Sequence, residues 1–82
     1  MKNLKLKEEF IGKKIEIINS KNKSMIGVSG TIIDETKNTF KIRKQGEKII
    51  TIMKKNNTFL IDKITIKGNN IIMRSEDRIK KL

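Results

Sequence analysis

Carboxylates are the side chains of this sequence that could carry catalysis or bind a metal ion, because the chain contains neither His nor Cys. Thiolate nucleophiles, imidazole bases and ordinary zinc sites are thereby excluded. Asp34 and Glu35 are adjacent on a predicted strand, where neighbouring side chains point to opposite faces and cannot share one ion. Asp34 is therefore interpreted as a turn residue that accepts backbone hydrogen bonds, and Glu76 and Asp77 as the start of a helix. The sequence predicts no catalytic residue and no metal site.

Basic side chains are the second group that could do chemistry. The chain has 20 Lys and Arg against 9 Asp and Glu, which gives a formal net charge of +11. An AT-rich genome explains why Lys outnumbers Arg, but it does not explain the shortage of acids. A folded chain this basic is expected to bind a polyanion, and nucleic acid is the commonest one.

Arginines receive the most weight among the basic residues, because a planar guanidinium forms bidentate phosphate contacts that Lys does not. With three Phe and no Tyr or Trp, the sequence offers no evident platform for stacking bases. Recognition through the nucleic-acid backbone and shape is therefore expected. The predicted RNA-binding residues are Lys13, Lys14, Lys41, Arg43, Lys44, Lys54, Lys55, Arg74, Arg78 and Lys80.

The chain length limits the fold that can position these residues. A chain of 82 residues forms one small domain, expected here over residues 1–82. It buries only about 60% of its unfolded surface, too little to enclose both a core and a large substrate cleft. No apolar run reaches the length of a membrane span, and the first residues lack a secretory signal. We therefore expect a soluble, cytoplasmic binding protein without a membrane partner.

Alternation of apolar and polar residues predicts an all-β fold of five or six short strands, among them one from Ile26 to Asp34 and one over Thr39–Arg43. Gly27 and Gly30 fit strongly bent strands, and strands this short and dense favour a small antiparallel barrel over about residues 11–73. Short helical segments are expected over about residues 3–10 and 75–81. The predicted interior is Ile15, Ile17, Val28, Ile32, Phe40, Ile42, Ile50, Ile52, Phe59, Ile64 and Ile66.

Three apolar residues near the N-terminus, Leu4, Leu6 and Phe10, lie outside the barrel pattern. Burying them requires either the flank of the barrel or another protein. We predict that they contact a protein partner.

Three segments carry a resemblance that spans nearly the whole chain in order. The first is Phe10-Ile11-Gly12-Lys13-Lys14-Ile15, the second runs from Ile26 to Phe40, and the third is Arg74-Ser75-Glu76-Asp77-Arg78-Ile79. The second contains G-x-x-G-x-x-x-D-E-T-x-N-T, which is long enough to be specific, and R-x-E-D-R-I is an independent second signature. Together they resemble archaeal ribonuclease P protein component 1. The central spacing also resembles the first motif of Sm-like RNA-binding barrels.

The resemblance implies a six-stranded Sm-like barrel that serves as an RNA-binding subunit of ribonuclease P, which removes the 5′ leader from precursor transfer RNA. It implies that the RNA subunit with bound magnesium performs the hydrolysis, and that this chain has no active site and binds no cofactor. The implied partners are ribonuclease P RNA, precursor transfer RNA, a zinc-ribbon protein subunit and the other ribonuclease P proteins.

Other functions share some of these features. A basic ribosomal-type or Sm-like RNA-binding barrel without a role in transfer RNA processing would have the same fold and charge. The R-x-E-D-R-I ending and the absence of a second Sm motif favour the ribonuclease P subunit. An adaptor that mainly recruits another protein is compatible with that role, and a protein-only nuclease is the enzyme alternative.

Overall fold

The computed structural model describes residues 10–73, which form six β-strands and three short 3-10 turns. The strands are β1 (Lys14–Ser20), β2 (Ser29–Glu35), β3 (Thr39–Arg43), β4 (Ile49–Met53), β5 (Asn57–Ile61) and β6 (Ile64–Lys67). The 3-10 turns are Lys23–Met25, Gln45–Glu47 and Gly68–Ile71. No helix in this part of the chain is long and apolar enough to cross a membrane.

Part of the sequence-based prediction lies outside the described residues. The helical segment expected over residues 75–81 lies there entirely. The segment expected over residues 3–10 also lies there, except for Phe10. The partner residues Leu4 and Leu6 and the RNA-binding residues Arg74, Arg78 and Lys80 also lie there. Their roles stay predictions.

The six strands form one antiparallel sheet in the order β4-β3-β2-β1-β5-β6. Along the chain, β1 pairs with β2, β2 with β3, β3 with β4, and β5 with β6. The pairing of β1 with β5 is therefore the long-range step that joins the C-terminal hairpin to the rest of the sheet. This architecture confirms the predicted six-stranded antiparallel fold.

The core consists of apolar side chains from every strand, so the sheet curves around one interior as a barrel does. Eight of the predicted interior residues are buried: Ile15, Ile17, Ile32, Phe40, Ile42, Ile52, Phe59 and Ile66. The other three, Val28, Ile50 and Ile64, are partly buried and pack against this cluster. Period-two alternation located these positions because successive side chains of a strand face opposite sides of the sheet.

Phe10 belongs to the barrel core and is only 2% exposed. Its ring meets the ring of Phe40 edge-on at a centroid distance of 5.9 Å, and Phe40 meets Phe59 in the same way at 5.5 Å. The prediction that Phe10 contacts a protein partner is therefore wrong. The barrel itself buries this side chain, because aromatic rings gain from edge-to-face packing as well as from leaving water.

The start of β2 differs from the sequence-based expectation. The strand begins at Ser29 rather than Ile26, because Gly27 adopts φ +93° in the preceding turn. Backbone bonds nevertheless continue towards β1, since the Ile17 N–H donates to the Val28 carbonyl and the Gly27 N–H to the Ile17 carbonyl, both at 2.8 Å. Gly27 thus bends the chain just before the strand.

The segment after β6 packs against the turn that follows β4. A Cβ atom at Gly68 would overlap the carbonyl group of Lys54 and come within 2.9 Å of the Asn57 carbonyl oxygen. Next to it, the Asn69 side-chain oxygen accepts a hydrogen bond of 2.9 Å from the Asn56 N–H. These contacts bring the ends of the two edge strands together.

Candidate nucleic-acid interface

An open groove of about 600 Å³ is lined by four basic side chains. Its cationic lining residues are Lys14, Arg43, Lys44 and Lys63. Leu60 and the backbone of Gly30 also line it. A neighbouring hollow shares Ser29, Lys44 and Gln45 with this groove and extends it towards Ile26. We call this surface the basic groove.

Strand register explains why Lys14 and Arg43 lie on the same face although they are far apart in sequence. Lys14 of β1 is opposite Thr31 of β2, and Thr31 is opposite Arg43 of β3. Directly opposite residues of antiparallel strands share a face, so both cations point outward from the barrel. With β2 between them, their backbones are separated by two strand spacings, roughly 10 Å.

Gly30 determines how closely β3 approaches β2 beside Arg43. A Cβ atom there would lie 2.5 Å from the Arg43 carbonyl oxygen, so any side chain would push β3 away. Gly30 therefore serves close approach between strands, which is one of the reasons a strand contains glycine. This glycine fixes the backbone position of Arg43 at the groove.

The turn between β3 and β4 places Lys44 beside Arg43. The Lys44 N–H donates to the Lys48 carbonyl at 2.7 Å, and the Glu47 N–H donates to the Lys44 carbonyl at 3.0 Å. Gly46 completes the turn with φ +80°, a region that favours glycine. The turn is thereby held by its own backbone bonds, with Lys44 and Gln45 facing the groove.

Two carboxylates, Glu16 and Asp62, also line the groove, so its four cations are only partly balanced. Asp62 lies 3.8 Å from the Nζ atom of Lys13, and these side chains are 49% and 29% exposed. Exposed pairs of this kind contribute about 0–1 kcal/mol and are screened by salt. A polyanion can therefore compete for Lys13 at small cost, and the groove keeps an excess of positive charge.

The structure places the other predicted basic residues elsewhere. Lys41 is exposed on the outer face of β3, opposite Asp34 of β2 and Thr51 of β4. Lys55 lines a different hollow, near Lys21 and Asn56. The structure therefore brings together Lys14, Arg43 and Lys44, with Lys13 nearby, and separates them from Lys41 and Lys55.

Lys54 is fully buried, and the prediction that it contacts RNA is wrong. Its Nζ atom donates to Oε2 of Glu35 at 2.7 Å and to the Met73 carbonyl at 2.9 Å, and it lies 5.1 Å from the Phe40 ring centroid. An ammonium in this position is held by a carboxylate, a carbonyl and an aromatic face. Moving it to meet a phosphate would break its ion pair with the buried carboxylate of Glu35, which costs free energy.

Asp34 behaves as the turn interpretation expects, since its Oδ1 atom accepts a hydrogen bond of 2.9 Å from the Glu35 N–H. Asp34 is exposed, whereas the Glu35 side chain is 1% exposed and faces the interior. The two carboxylates thus point away from each other. Across residues 10–73, no cluster of three or more His, Cys, Asp or Glu could hold a metal ion.

Sequence reasoning missed Lys63 and Gln45 as groove residues. Lys63 precedes β6 and adopts φ +69° in the turn from β5. Its position is visible in the sequence as the first outward residue of the alternation from Lys63 to Lys67. Gln45 carries no charge, so only the geometry of its turn reveals it.

Comparison with known proteins gives a consistent set of similarities. A protein-family model described as Ribonuclease P/MRP, subunit p29, matches residues 3–81. Ribonuclease P protein component 1 of Methanocaldococcus jannaschii is 41% identical, covering 93% of this chain and 84% of that protein. The protein of the same name from Methanosphaera stadtmanae is 44% identical, covering 92% of this chain and 85% of that protein.

The fold also resembles a solved structure. It is described as Mth11, a homologue of the human RNase P protein Rpp29. The TM-score is 0.63 with 31% sequence identity, and the match covers 88% of this chain and 99% of that one. Sequence and fold similarity therefore point to the same family.

Proposed function

Since this chain belongs to the ribonuclease P/MRP subunit p29 family, we propose that it binds RNA phosphates through the basic groove and so assists the catalytic RNA. It is a protein subunit of ribonuclease P, and as such a component of an endoribonuclease that associates with RNA and other subunits. The similarities do not favour a ribosomal-type or Sm-like barrel outside transfer RNA processing. One observation supports the groove as the RNA contact: strand pairing places Lys14, Thr31 and Arg43 side by side on the outer face of β1, β2 and β3.

Electrostatics provides the physical basis for the proposed role. Folding a large RNA and docking a precursor transfer RNA on it both bring phosphates close together, which costs repulsive energy. A chain of net charge +11 reduces that repulsion and replaces some of the magnesium ions that would otherwise do so. Each phosphate neutralised by Lys or Arg also releases counterions, so binding weakens as salt rises.

We place the hydrolysis on the RNA subunit and its magnesium rather than on this chain. The described residues support this assignment, because their carboxylates do not form a cluster. Glu35 pairs with Lys54, and Asp34 accepts a hydrogen bond from a backbone N–H. The chain then holds RNA in position, and the nucleophile and metal come from the RNA.

The zinc-ribbon subunit of the same particle is the proposed protein partner. Leu4 and Leu6 stay the predicted contacts, because Phe10 is committed to the core. Deleting residues 1–7 should weaken binding of that subunit in calorimetry while leaving the Phe10–Phe40 contact and the barrel intact. Unchanged affinity would reject this docking site.

Reconstitution with the cognate RNA and the partner subunits tests the main proposal. The protein alone should cleave no precursor transfer RNA, and its addition should lower the magnesium concentration needed for half-maximal cleavage. The double variant Arg43→Gln/Lys44→Gln should lose much of that effect. A matched control, Lys37→Gln/Lys48→Gln, removes the same charge from exposed positions that do not line the groove.

Two results would contradict the proposal. One is cleavage of precursor transfer RNA by the purified chain without the RNA subunit. The other is an equal magnesium requirement for the groove variant and the wild type, measured under conditions where the control also matches the wild type.

A further inference from the structure

A second cationic surface lies at the C-terminal end of β1, whereas the basic groove includes the first residues of that strand. It is a hollow of about 300 Å³ whose charged lining residues are Lys21 and Lys55. Asn22, Asn56 and Asn57 line it as well. Among residues 10–73, no Asp or Glu lines it, in contrast to the basic groove. We call it the β1-end surface.

Hydrogen bonds hold the two turns that carry these lysines. The Lys21 N–H donates to the Asn56 carbonyl at 3.2 Å, which ties the turn after β1 to the turn before β5. The Asn57 side-chain amide donates to the Met53 carbonyl at 2.6 Å, and the Asn69 side chain accepts from the Asn56 N–H at 2.9 Å. The backbone of this surface is therefore preorganised, so little ordering is required when a ligand binds.

The two basic surfaces are separate sites. None of the described residues lines both surfaces. Both nevertheless include residues of β1, Lys14 at its start and Ser20 at its end. A strand of seven residues is about 20 Å long at roughly 3.3 Å per residue. This exceeds the Debye length of about 8 Å at physiological ionic strength, so phosphates bound at one surface repel those at the other only weakly.

From these features we infer that the barrel binds two RNA segments at once, one on the basic groove and one on the β1-end surface. The inference rests on the proposed function of the groove. The chemistry of the second surface fits a phosphate backbone, because its described lining residues offer ammonium and amide donors and no carboxylate. Met53 is its one large exposed apolar side chain among the described residues, whereas a protein interface is anchored by a cluster of buried apolar groups.

Co-capture of two RNAs tests this arrangement with the full-length chain. Two short, non-complementary RNA hairpins are used, one biotinylated and immobilised and the other fluorescent in solution. The wild type and the control Lys37→Gln/Lys48→Gln should retain the fluorescent hairpin on the immobilised one. Lys21→Gln/Lys55→Gln and Lys14→Gln/Arg43→Gln should each still bind one hairpin but lose at least about tenfold in co-capture.

The salt dependence of single-hairpin binding gives a second readout. In each double variant, the slope of log affinity against log salt should become shallower by up to about two, one for each phosphate contact removed. Each variant should stay folded, because Lys14, Lys21, Arg43 and Lys55 are exposed on the surface. Circular dichroism and thermal unfolding check this.

The outcomes separate this inference from the proposed function. Wild-type co-capture by Lys21→Gln/Lys55→Gln overturns the inference and leaves the proposed function of the groove standing. Co-capture by both single-surface variants overturns it in favour of bridging by a dimer. Unchanged RNA affinity and salt slope in Lys14→Gln/Arg43→Gln overturns the proposed function of the groove.

Discussion

The Nζ atom of Lys54 lies 2.7 Å from Oε2 of Glu35, and the two side chains are 0% and 1% exposed. Glu35 ends β2 in the inward-facing position opposite Phe40, and Lys54 follows the last residue of β4. The same ammonium donates to the carbonyl of Met73, the last described residue. One buried cation therefore connects β2, the turn after β4 and the C-terminal end of the described chain.

Breaking this pair from one side should destabilise the fold strongly. In Lys54→Met the buried Glu35 carboxylate loses the ammonium that lies 2.7 Å from it, which costs about 3–5 kcal/mol. That is a large part of the roughly 4–12 kcal/mol expected for a domain of this size. Urea denaturation measures the loss, and Lys55→Met is the matched control because Lys55 is exposed.

The double variant Lys54→Met/Glu35→Leu should recover much of that stability. It removes both charges together, so neither is left unpaired in the interior. A single Lys54→Met variant as stable as the wild type would contradict the burial of the pair. Equal losses in the single and double variants would show that packing rather than charge dominates.

Two adjacent isoleucines of β1 provide a test of the barrel. Ile17 is 0% exposed in the core and Ile18 is 38% exposed on the outside. Ile17→Ala should cost about 2–5 kcal/mol of the free energy of unfolding, because it removes buried apolar volume and leaves a cavity. Ile18→Ala should cost less than about 1 kcal/mol, the scale of strand propensity. Similar losses in thermal or urea unfolding would contradict the assigned faces of β1.

Substitutions of Arg43 distinguish the contribution of its charge to RNA binding from that of its bidentate geometry. Arg43→Gln should lower the salt slope of RNA affinity by about one, since one phosphate contact is removed. Arg43→Lys should keep the slope but bind more weakly, because Lys makes no planar bidentate contact. Filter binding at several salt concentrations measures both effects. Identical affinity and slope in all three proteins would exclude Arg43 from the interface.

Asp34 tests whether the exposed carboxylate has a part in catalysis. Asp34→Asn keeps an oxygen that can accept the hydrogen bond from the Glu35 N–H, so the turn should be preserved. The single-turnover cleavage rate of the reconstituted enzyme at saturating magnesium should then change less than about twofold. A loss of a hundredfold or more, the usual scale for removing a general acid or base, would give Asp34 a catalytic role.

The sequence by itself determined the strand content, most of the core and the family. β3 coincides with the predicted Thr39–Arg43 strand, and alternation assigned residues such as Ile32 and Phe59 to the interior. This succeeded because a strand buried on one side has a period of two, a local property of the chain. Overall charge likewise predicted a polyanion ligand, because it is a sum that needs no geometry.

Only the tertiary structure decided which basic residues share one surface. Lys14 and Arg43 belong to one row because β2 lies between β1 and β3 in a particular register, and Lys55 is separated from them by the course of β1. Alternation within one strand assigns each residue to a face, but which residue of the neighbouring strand lies opposite it also depends on turn geometry and on the pairing of the two strands.

Phe10 and Lys54 show the same limit most clearly. Phe10 precedes the first strand and has no alternation partner, so only packing on Phe40 reveals that it is core. Lys54 looks like its exposed neighbour Lys55, yet folding brings it to Glu35, 19 residues away. Burial of a charge depends on a partner that arrives through tertiary structure, and an ammonium without one would remain in water.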